Sequence, residues 1–475
     1  MSDTYKIAAE VVPSKRQLEW QKLEFYAFCH FGMNTFTNKE WGDGTDSPEK
    51  FNPTDFDAEQ WARVIKNGGM RGIILTCKHH DGFCLWPSKY TDYTVAASPF
   101  KDGKGDIVKE VSDACRKYGL KFGVYLSPWD RHETTYGQGE AYNEYYKNQL
   151  RELLTNYGEL FCVWLDGACG EGKNGKVQQY DWQGYYKVVR ELQPDAVISI
   201  SGPDVRWVGN EAGVCRESEW SVVPSYLAIS EYTAEHSQKE DSKKFRKQKK
   251  EMVLDLGSRK AIKNESDLIW FPAEVDTSLR PGWFYHKDED TRQKDLFKLM
   301  QIYLSSVGGN SNLILNIPPD TNGQICKNDE LVLDSFGRAL KRKFYDRVSE
   351  NAVITASSQS DGLHTAKNIN GNENCFWQAS GNDEKPEITI DFGGEKEFDS
   401  VILQENIATG QQIEEFTVYY EAGGKFKKLY KGTVIGYKKI IALKDSLISR
   451  KIKIVIEKYR VKSTIFNIEV YNSKQ

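Results

Sequence analysis

The chain has 475 residues, of which 64 are Lys or Arg and 68 are Asp or Glu, for a formal net charge of -4. With no dominant field of one sign, we expect neither nucleic acid nor an anionic membrane surface as a partner. Aromatic residues make up 12% of the chain, which fits either a large barrel core or sugar-stacking surfaces. The length accommodates one large barrel and one further domain.

No run of about 18 apolar residues is present, so we expect no membrane insertion. The first residues, MSDTYKIAAE, lack the apolar segment of a signal peptide. We therefore expect a cytoplasmic protein, or a periplasmic or secreted one if a signal peptide has been removed. The nine cysteines have no CxxC or metal-type spacing, and their odd number argues against a full disulfide framework. Oligomeric state is not predicted.

Apolar strands and amphipathic helices alternate through most of the chain. Strands are predicted at Phe25–Met33, Gly72–Cys77, Phe122–Leu126, Leu160–Leu165 and Val197–Ser201, with helices between them at Phe56–Asn67, Asp106–Tyr118, Glu140–Tyr157 and Trp182–Leu192. Two later strands, Leu268–Phe271 and Asn312–Ile317, enclose a helix at Lys294–Val307. This alternation predicts a parallel sheet, closed as a (β/α)8-like TIM barrel. No glycine fingerprint follows the first strand, which disfavours a doubly wound sheet.

The pattern of apolar and polar residues changes after Tyr345, where helical periodicity stops. Short alternating strands are predicted at Glu387–Phe392, Val401–Glu405, Phe416–Tyr420, Lys451–Ile456 and Phe466–Val470, as in an antiparallel β-sandwich. We therefore divide the chain into a barrel, residues 1–346, and a sandwich, residues 347–475. Within the barrel region, Lys239–Glu251 is highly charged and is interpreted as a surface helix or insertion, with a nucleic-acid arm as the weaker alternative.

Functional groups of a parallel barrel lie at the C-terminal ends of its strands. Asp166 follows an apolar strand and precedes the glycine-rich loop GACGEGKNGK, which disfavours a helix N-cap as its role. Glu211, in a loop beyond the fifth strand, would alone be an ordinary surface glutamate. Together they form the carboxylate pair that glycoside hydrolysis needs, one as nucleophile and one as acid/base. Retention of configuration requires the pair at about 5 Å.

The adjacent His79 and His80 suggest a metal site, but we rate this interpretation low. Neighbouring residues at a strand end are expected to point to opposite sides, and no third ligand stands at a typical spacing. Hydrogen bonds to a polyol are the better functional interpretation, while structural packing fits at least one of the two. Neither GxSxG nor a P-loop occurs, so the sequence offers no sign of serine-hydrolase or nucleotide chemistry.

Six strings in consistent order carry a resemblance to a known family: HFGMNTFTNKEWGDG, CKHHDGFCLWPS, YLSPWDRH, VWLDGACG, RWVGNEAG and RPGWFYH. They resemble the α-L-fucosidases of glycoside hydrolase family 29, in particular the branch that cleaves α-1,3 and α-1,4 linkages on branched glycans. The resemblance implies a retaining mechanism without metal or other cofactor, and a fucosylated oligosaccharide as substrate.

The resemblance also implies roles for individual residues. Asp166 matches the nucleophile and Glu211 the acid/base, with Tyr125 near the nucleophile. Trp283 matches a tryptophan that packs near the fucose methyl, and Arg206 is a further candidate contact. The residues implied to hold the fucose hydroxyls are His30, Glu40, Trp41, His79 and His80. A second sugar is hypothesised to bind near Trp129, Asp130 and His132.

The C-terminal strings TASSQSDG, FWQAS, ITIDFG and FTVYYEAGGKFKKL resemble discoidin-like, carbohydrate-binding sandwiches. We favour a structural role for this domain over sugar binding. Three alternatives to a fucosidase stay open: a retaining glycosidase for another sugar, a catalytically weak glycan-binding protein, and a metal-dependent hydrolase using His79 and His80.

Overall fold

The computed structural model describes residues 3–229 and 255–473, so the charged segment Lys239–Glu251 lies outside the described residues. Eight parallel strands form a barrel: β1 Phe25–Cys29, β2 Gly72–Lys78, β3 Lys121–Leu126, β4 Cys162–Leu165, β5 Val197–Ile200, β6 Arg206–Trp207, β7 Ala273–Ser278 and β8 Asn312–Asn316. Their hydrogen-bonded order is β5-β4-β3-β2-β1-β8-β7-β6. A parallel bridge from Ser199 to Val205 brings the two ends of the sheet together. The predicted barrel is therefore confirmed.

Helices surround the strands, and four of those described begin after an aspartate cap. The side chains of Asp57, Asp106, Asp181 and Asp295 each accept a hydrogen bond from the backbone N–H three residues on. The described helices are Thr4–Glu10, Lys15–Leu23, Met33–Thr37, Ala58–Asn67, Ile107–Tyr118, Glu140–Asn156, Trp182–Leu192, Leu296–Ser306 and Lys327–Lys343. Among them, none is long and apolar enough to cross a membrane.

Two of the predicted barrel elements are wrong. The predicted strand at Leu268–Phe271 does not enter the barrel: Leu268–Trp270 pairs antiparallel with Val222–Pro224. The barrel strand is β7, with the sequence AEVDTS, and its Glu274 and Asp276 are both buried. Buried carboxyls interrupt the apolar pattern by which a strand is recognised, so this strand was missed. The first predicted strand, Phe25–Met33, is too long: β1 ends at Cys29, and Met33 is the first residue of a short helix, Met33–Thr37.

The C-terminal domain is antiparallel, as predicted, with a seven-stranded sheet. Its apolar core includes Trp377, Phe398, Phe416 and Ile454. The strands predicted at Glu387–Phe392 and Val401–Glu405 are one long strand whose register shifts twice. The strands of the large sheet are Asp346–Arg347, Val353–Ala356, Glu387–Gln404, Ile413–Ala422, Lys425–Gly432, Lys439–Tyr459 and Asn467–Asn472, and Trp377–Gln378 pairs with Thr464–Ile465 in a small second sheet.

The two domains meet behind the loop that carries Glu211. The Asn310 side chain donates to the carbonyl of Glu219 at 2.8 Å and accepts from the backbone N–H of Tyr437 at 2.7 Å. The backbone N–H of Ser221 donates to the Gln411 side chain at 2.7 Å. The second domain thus supports the segment that follows β6.

Candidate active site

Asp166 follows β4 at the mouth of the barrel. Its Oδ1 accepts from the backbone N–H of Ala168 at 2.8 Å, and its Oδ2 accepts from the hydroxyl of Tyr125 at 3.2 Å. Asp166 caps no helix, because the next one begins at Trp182 and is capped by Asp181. Burial raises the pKa of Asp166, and the hydrogen bonds to its carboxylate oppose part of that rise. The side chain is still 22% exposed, so it is accessible from the barrel mouth.

His79 and His80 lie side by side at the same mouth, with ring centroids 4.1 Å apart. The expectation that they point to opposite sides is wrong, because β2 ends at Lys78 and the strand alternation stops there. The Nε2 atom of His80 lies 3.8 Å from Oδ2 of Asp166. Burial lowers the pKa of both imidazoles, that of His80 to about 3. Both rings are therefore neutral at ordinary working pH.

Neighbouring groups define which nitrogen of each ring carries the proton. The Asn34 amide N–H lies 3.4 Å from Nδ1 of His79, which leaves Nε2 of that ring as the donor. The hydroxyl of Ser127 donates to the carbonyl of Trp129 at 2.7 Å. Its oxygen therefore accepts from Nδ1 of His80 at 2.7 Å, which leaves Nε2 of His80 as an acceptor. The pair presents one donor and one acceptor.

Trp283 links the second carboxylate to the histidines. Its indole N–H donates to Oε2 of Glu211 at 3.4 Å, and its ring centroid lies 5.1 Å from that of His30. The His30 ring lies 5.6 Å from that of His79, and its Nδ1 is 2.8 Å from Oδ1 of Asn316. An unbroken series of contacts therefore runs from Glu211 through the aromatic rings to Asp166.

Glu40 and Trp41 lie on the loop after β1 and border this group. The Glu40 carboxylate accepts from the backbone N–H groups of Trp283, at 2.9 Å, and Phe284, at 3.1 Å. The Trp41 ring meets that of His80 edge-on at 5.3 Å. The fold thus brings together nine of the ten residues proposed from the sequence: His30, Glu40, Trp41, His79, His80, Tyr125, Asp166, Glu211 and Trp283.

Arg206 is the exception. Its buried guanidinium forms an ion pair with Glu219 and donates to the carbonyls of Phe271 and Trp220, both at 2.9 Å. Arg216 pairs with the same glutamate at 3.3 Å. These contacts give Arg206 a structural role beneath the Glu211 loop, so we do not carry it forward as a sugar contact.

Sequence reasoning missed two buried carboxyls inside the barrel. Glu274 accepts from the indole N–H of Trp164 at 2.7 Å and from Tyr26, and Asp276 accepts from the indole N–H of Trp207 at 2.9 Å. Burial and then the charge of Glu211 raise the pKa of Asp276 well above its ordinary value. Two acids spaced by one residue, directly after the apolar stretch LIWFP, were the signal that could have identified them.

Among residues 3–229 and 255–473, no group of three or more His, Cys, Asp or Glu side chains is placed to hold a metal. The described site holds three carboxylates, those of Glu40, Asp166 and Glu211, with three histidines and flat tryptophan rings at the C-terminal end of a parallel barrel. Carboxylate pairs in such a position are the arrangement of a glycoside hydrolase, and neutral imidazoles suit a polyol substrate.

The comparisons with known proteins agree with this class. Residues 4–343 match the α-L-fucosidase family, and residues 353–469 match the F5/8 type C domain. The chain belongs to the α-L-fucosidase family, glycoside hydrolase family 29. The second match agrees with the discoidin-like character expected of the C-terminal domain.

Similar proteins cover nearly the whole chain. Alpha-L-fucosidase 1 of Arabidopsis thaliana is 37% identical over 471 residues, covering 98% of this chain and 88% of that protein. The crystal structure of a putative α-L-fucosidase of Bacteroides ovatus is 42% identical in sequence with a TM-score of 0.85. The match covers 99% of this chain and 76% of the Bacteroides ovatus chain. A family 29 fucosidase of Ruminococcus gnavus, solved in complex with fucose, is 32% identical with a TM-score of 0.84, covering 98% and 96%.

Proposed function

We propose that this enzyme is a retaining exo-α-L-fucosidase in which Asp166 is the nucleophile and Glu211 the acid/base. The observation that carries the proposal is the continuous set of contacts between them, from Asp166 to His80, His79, His30 and Trp283 and on to Glu211. We propose that the fucose binds against this set of side chains, between the two carboxylates.

The chemistry follows in two displacements. Asp166 attacks the anomeric carbon and forms a fucosyl ester, while Glu211 gives its proton to the departing glycosidic oxygen. Glu211 then takes a proton from water, whose oxygen attacks the same carbon and releases fucose and the Asp166 carboxylate. The indole N–H of Trp283, 3.4 Å from Oε2 of Glu211, holds the second carboxyl in place through both steps.

The orientation of the histidines supports hydroxyl recognition. Nε2 of His80 and Oδ2 of Asp166 are both acceptors and lie 3.8 Å apart. A sugar hydroxyl placed between them donates its hydrogen to one of the two. His79 offers its Nε2–H to a neighbouring sugar oxygen. The Trp283 ring supplies the apolar wall that a 6-deoxy methyl group requires.

We further propose that the fucose is α-1,3- or α-1,4-linked on a branched glycan, supported by the resemblance of the six strand-end strings to that branch of the family. Of the residues considered for a second sugar, Asp130 is occupied by a buried ion pair with Lys78 at 2.8 Å. His132 stacks on Tyr93 with centroids 4.1 Å apart. Trp129 adjoins Trp41 and is the remaining candidate, although the residue is only 5% exposed.

For the C-terminal domain we propose a buttressing role. Support comes from the hydrogen bonds of Gln411 and Tyr437 to the barrel segments around Ser221 and Asn310. These contacts reach the segment that follows β6, which carries Glu211. We therefore expect this domain to stabilise the acid/base loop rather than to bind sugar.

The test compares two substrates and three variants. The substrates are an aryl α-L-fucoside with an activated leaving group and a Lewis-type trisaccharide, with released fucose measured for each. Asp166→Ala is expected to lose activity on both. Glu211→Ala is expected to lose far more on the trisaccharide, because an activated aryloxide leaves without a proton. Glu217→Ala is the matched control, since Glu217 is an exposed glutamate on the same loop.

The outcomes separate the possibilities. Trisaccharide cleavage that is lost in the Asp166 and Glu211 variants and kept in the Glu217 variant supports the whole proposal. Cleavage of the aryl fucoside alone retains the fucosidase and rejects the linkage preference. Fucose binding without turnover by the unmodified protein favours a glycan-binding protein and rejects the catalytic roles.

A further inference from the structure

The segment after β7 carries Trp283 and is held by Glu40 from the loop after β1. The backbone N–H groups of Trp283 and Phe284 both donate to Oε1 of Glu40. The imidazole Nε2 of His286 lies 2.7 Å from the same oxygen. A Cβ atom at Gly282 would lie 2.7 Å from the same oxygen, so glycine at this position allows the close approach of the chain to the carboxylate. Glu40 thus binds three positions of this segment, 283, 284 and 286, on one carboxylate, with Gly282 packed against it.

The second ring nitrogen of His286 also faces an oxygen. Its Nδ1 lies 2.7 Å from Oδ1 of Asn38, while Nε2 faces Glu40 at the same distance. With an acceptor at each nitrogen, the ring satisfies both only when both carry hydrogen, which is the imidazolium form. The side chains of His286 and Glu40 are 13% and 10% exposed, so water does little to replace the hydrogen bond between these two residues.

The charges around His286 agree with that form. The hydrogen bond to Glu40 raises the pKa of His286 above its ordinary value of 6.5, the charges of Glu40, Glu289 and Asp288 add to the rise, and burial opposes it. The opposing cation in this segment is Arg280, which reaches the His286 carbonyl at 3.4 Å but pairs with Asp329 at 2.7 Å. The ring itself therefore faces a predominantly acidic surrounding.

We propose that charged His286 is a positioning residue for fucose binding: it fixes Glu40, and Glu40 fixes the backbone of Trp283. Trp283 is then held with its ring against His30 and its indole N–H toward Glu211. His286 acts through Glu40 and does not touch the reacting atoms. The inference rests on the proposed role of Trp283 as a wall of the fucose site.

Loss of the charge on His286 weakens the attachment of this segment. The stabilisation is present while the imidazole is protonated and is lost as the pH rises through its raised pKa, above 6.5. Fucose binding should therefore weaken on the alkaline side, without any change at the nucleophile. If the ion pair between His286 and Glu40 were only structural, its loss at high pH would lower stability but would not change fucose affinity.

The experiment measures L-fucose binding by calorimetry between about pH 6 and pH 9 in the Asp166→Ala background, so that turnover and titration of Asp166 do not contribute. With His286 present, Kd is expected to increase about tenfold across this range. With His286→Gln, which keeps a neutral N–H for Glu40, Kd should equal the high-pH value throughout. His364→Gln is the matched control, since His364 pairs with Asp361 at 2.8 Å in the other domain.

A second variant, Asn38→Gly, tests the inference even if His286→Gln fails to fold. Asn38 has φ +55° at the end of a helix, so Asn38→Gly fits its backbone and removes only the acceptor at Nδ1. It should move the rise in Kd to lower pH while His286 remains. Equal pH dependence with and without His286 would overturn the inference but leave the proposed function intact. Failure of L-fucose to bind at any pH would overturn both.

Discussion

The hydroxyl of Tyr125 donates a hydrogen bond to Oδ2 of Asp166 across 3.2 Å, joining the ends of β3 and β4. This bond favours the ionised carboxylate and lowers a pKa that burial otherwise raises. Since the proposed nucleophile must be ionised, its pKa defines the acidic limb of the pH–rate profile. The pair therefore connects barrel geometry directly to a measurable property.

Tyr125→Phe should move the acidic limb of kcat/KM to higher pH, because the carboxylate loses a stabilising donor. Hydrogen bonds to charged groups contribute about 1.5–3 kcal/mol, which corresponds to a loss in kcat/KM of about tenfold to a hundredfold on the acidic limb. The control is Tyr157→Phe, which removes a similar bond to Asp106 at 3.0 Å outside the site. An unmoved acidic limb in the Tyr125 variant would contradict the assignment.

Asp276→Asn should change the pH dependence of stability. Burial and the charge of Glu211 raise the pKa of Asp276, so above its ordinary value of 3.8 the folded protein holds a proton that the unfolded chain releases. Stability is therefore lost as pH rises toward the folded-state pKa, and the amide variant avoids this loss. We expect Tm of the variant to increase relative to the unmodified protein between about pH 5 and pH 8.

The matched control for this prediction is Asp195→Asn, which removes one negative charge from a side chain that is 73% exposed. Its Tm should follow that of the unmodified protein at every pH. A Tm difference for the Asp276 variant that does not vary with pH would show that Asp276 is ionised in the folded state.

Arg206→Met should destabilise the protein without changing fucose affinity. The substitution leaves Glu219 buried with one fewer partner, and breaking such a pair costs about 3–5 kcal/mol. Lys187→Met, at an exposed pair with Glu191, should cost about 1 kcal/mol or less. Denaturant unfolding and KM report the two effects separately. Unchanged stability together with a raised KM would restore Arg206 as a substrate contact.

Chelation should leave turnover unchanged, because two carboxylates supply both the attack and the proton transfers without a Lewis acid. The measurement is the rate on an aryl α-L-fucoside before and after treatment with EDTA. Activity that is lost with EDTA and regained with a divalent cation would favour the metal-dependent alternative at His79 and His80.

The strand-end residues His79, His80 and Asp166 could be predicted because each follows an apolar run. The C-terminal ends of parallel strands meet at one mouth of the barrel, so residues at those ends come together. Asp166 is the clearest case, with a buried strand before it and a glycine-rich loop after it. β7 was missed because Glu274 and Asp276 stand inside the barrel, where the apolar pattern of a strand is expected. Their environment exists only once Trp164 and Trp207 close around them.

Contacts between distant segments were beyond sequence reasoning. Glu40 was expected only as a sugar contact, and its attachment to Trp283 joins residues 243 positions apart. The directions of His79 and His80 were wrong because the exact end of β2, at Lys78, decides whether strand alternation applies. Neither feature has a local signal in the residues themselves.

The central claim is that Asp166 is the nucleophile, and a covalent trap tests it most directly. With 2-deoxy-2-fluoro-α-L-fucosyl fluoride, fluoride leaves C1 as the nucleophile bonds to it, and the fluorine at C2 slows hydrolysis of the ester. Mass spectrometry of the intact protein and of its peptides then locates the sugar. The account predicts one fluorofucosyl group on Asp166; a group on Glu211 or Asp276, with Asp166 unmodified, would contradict it.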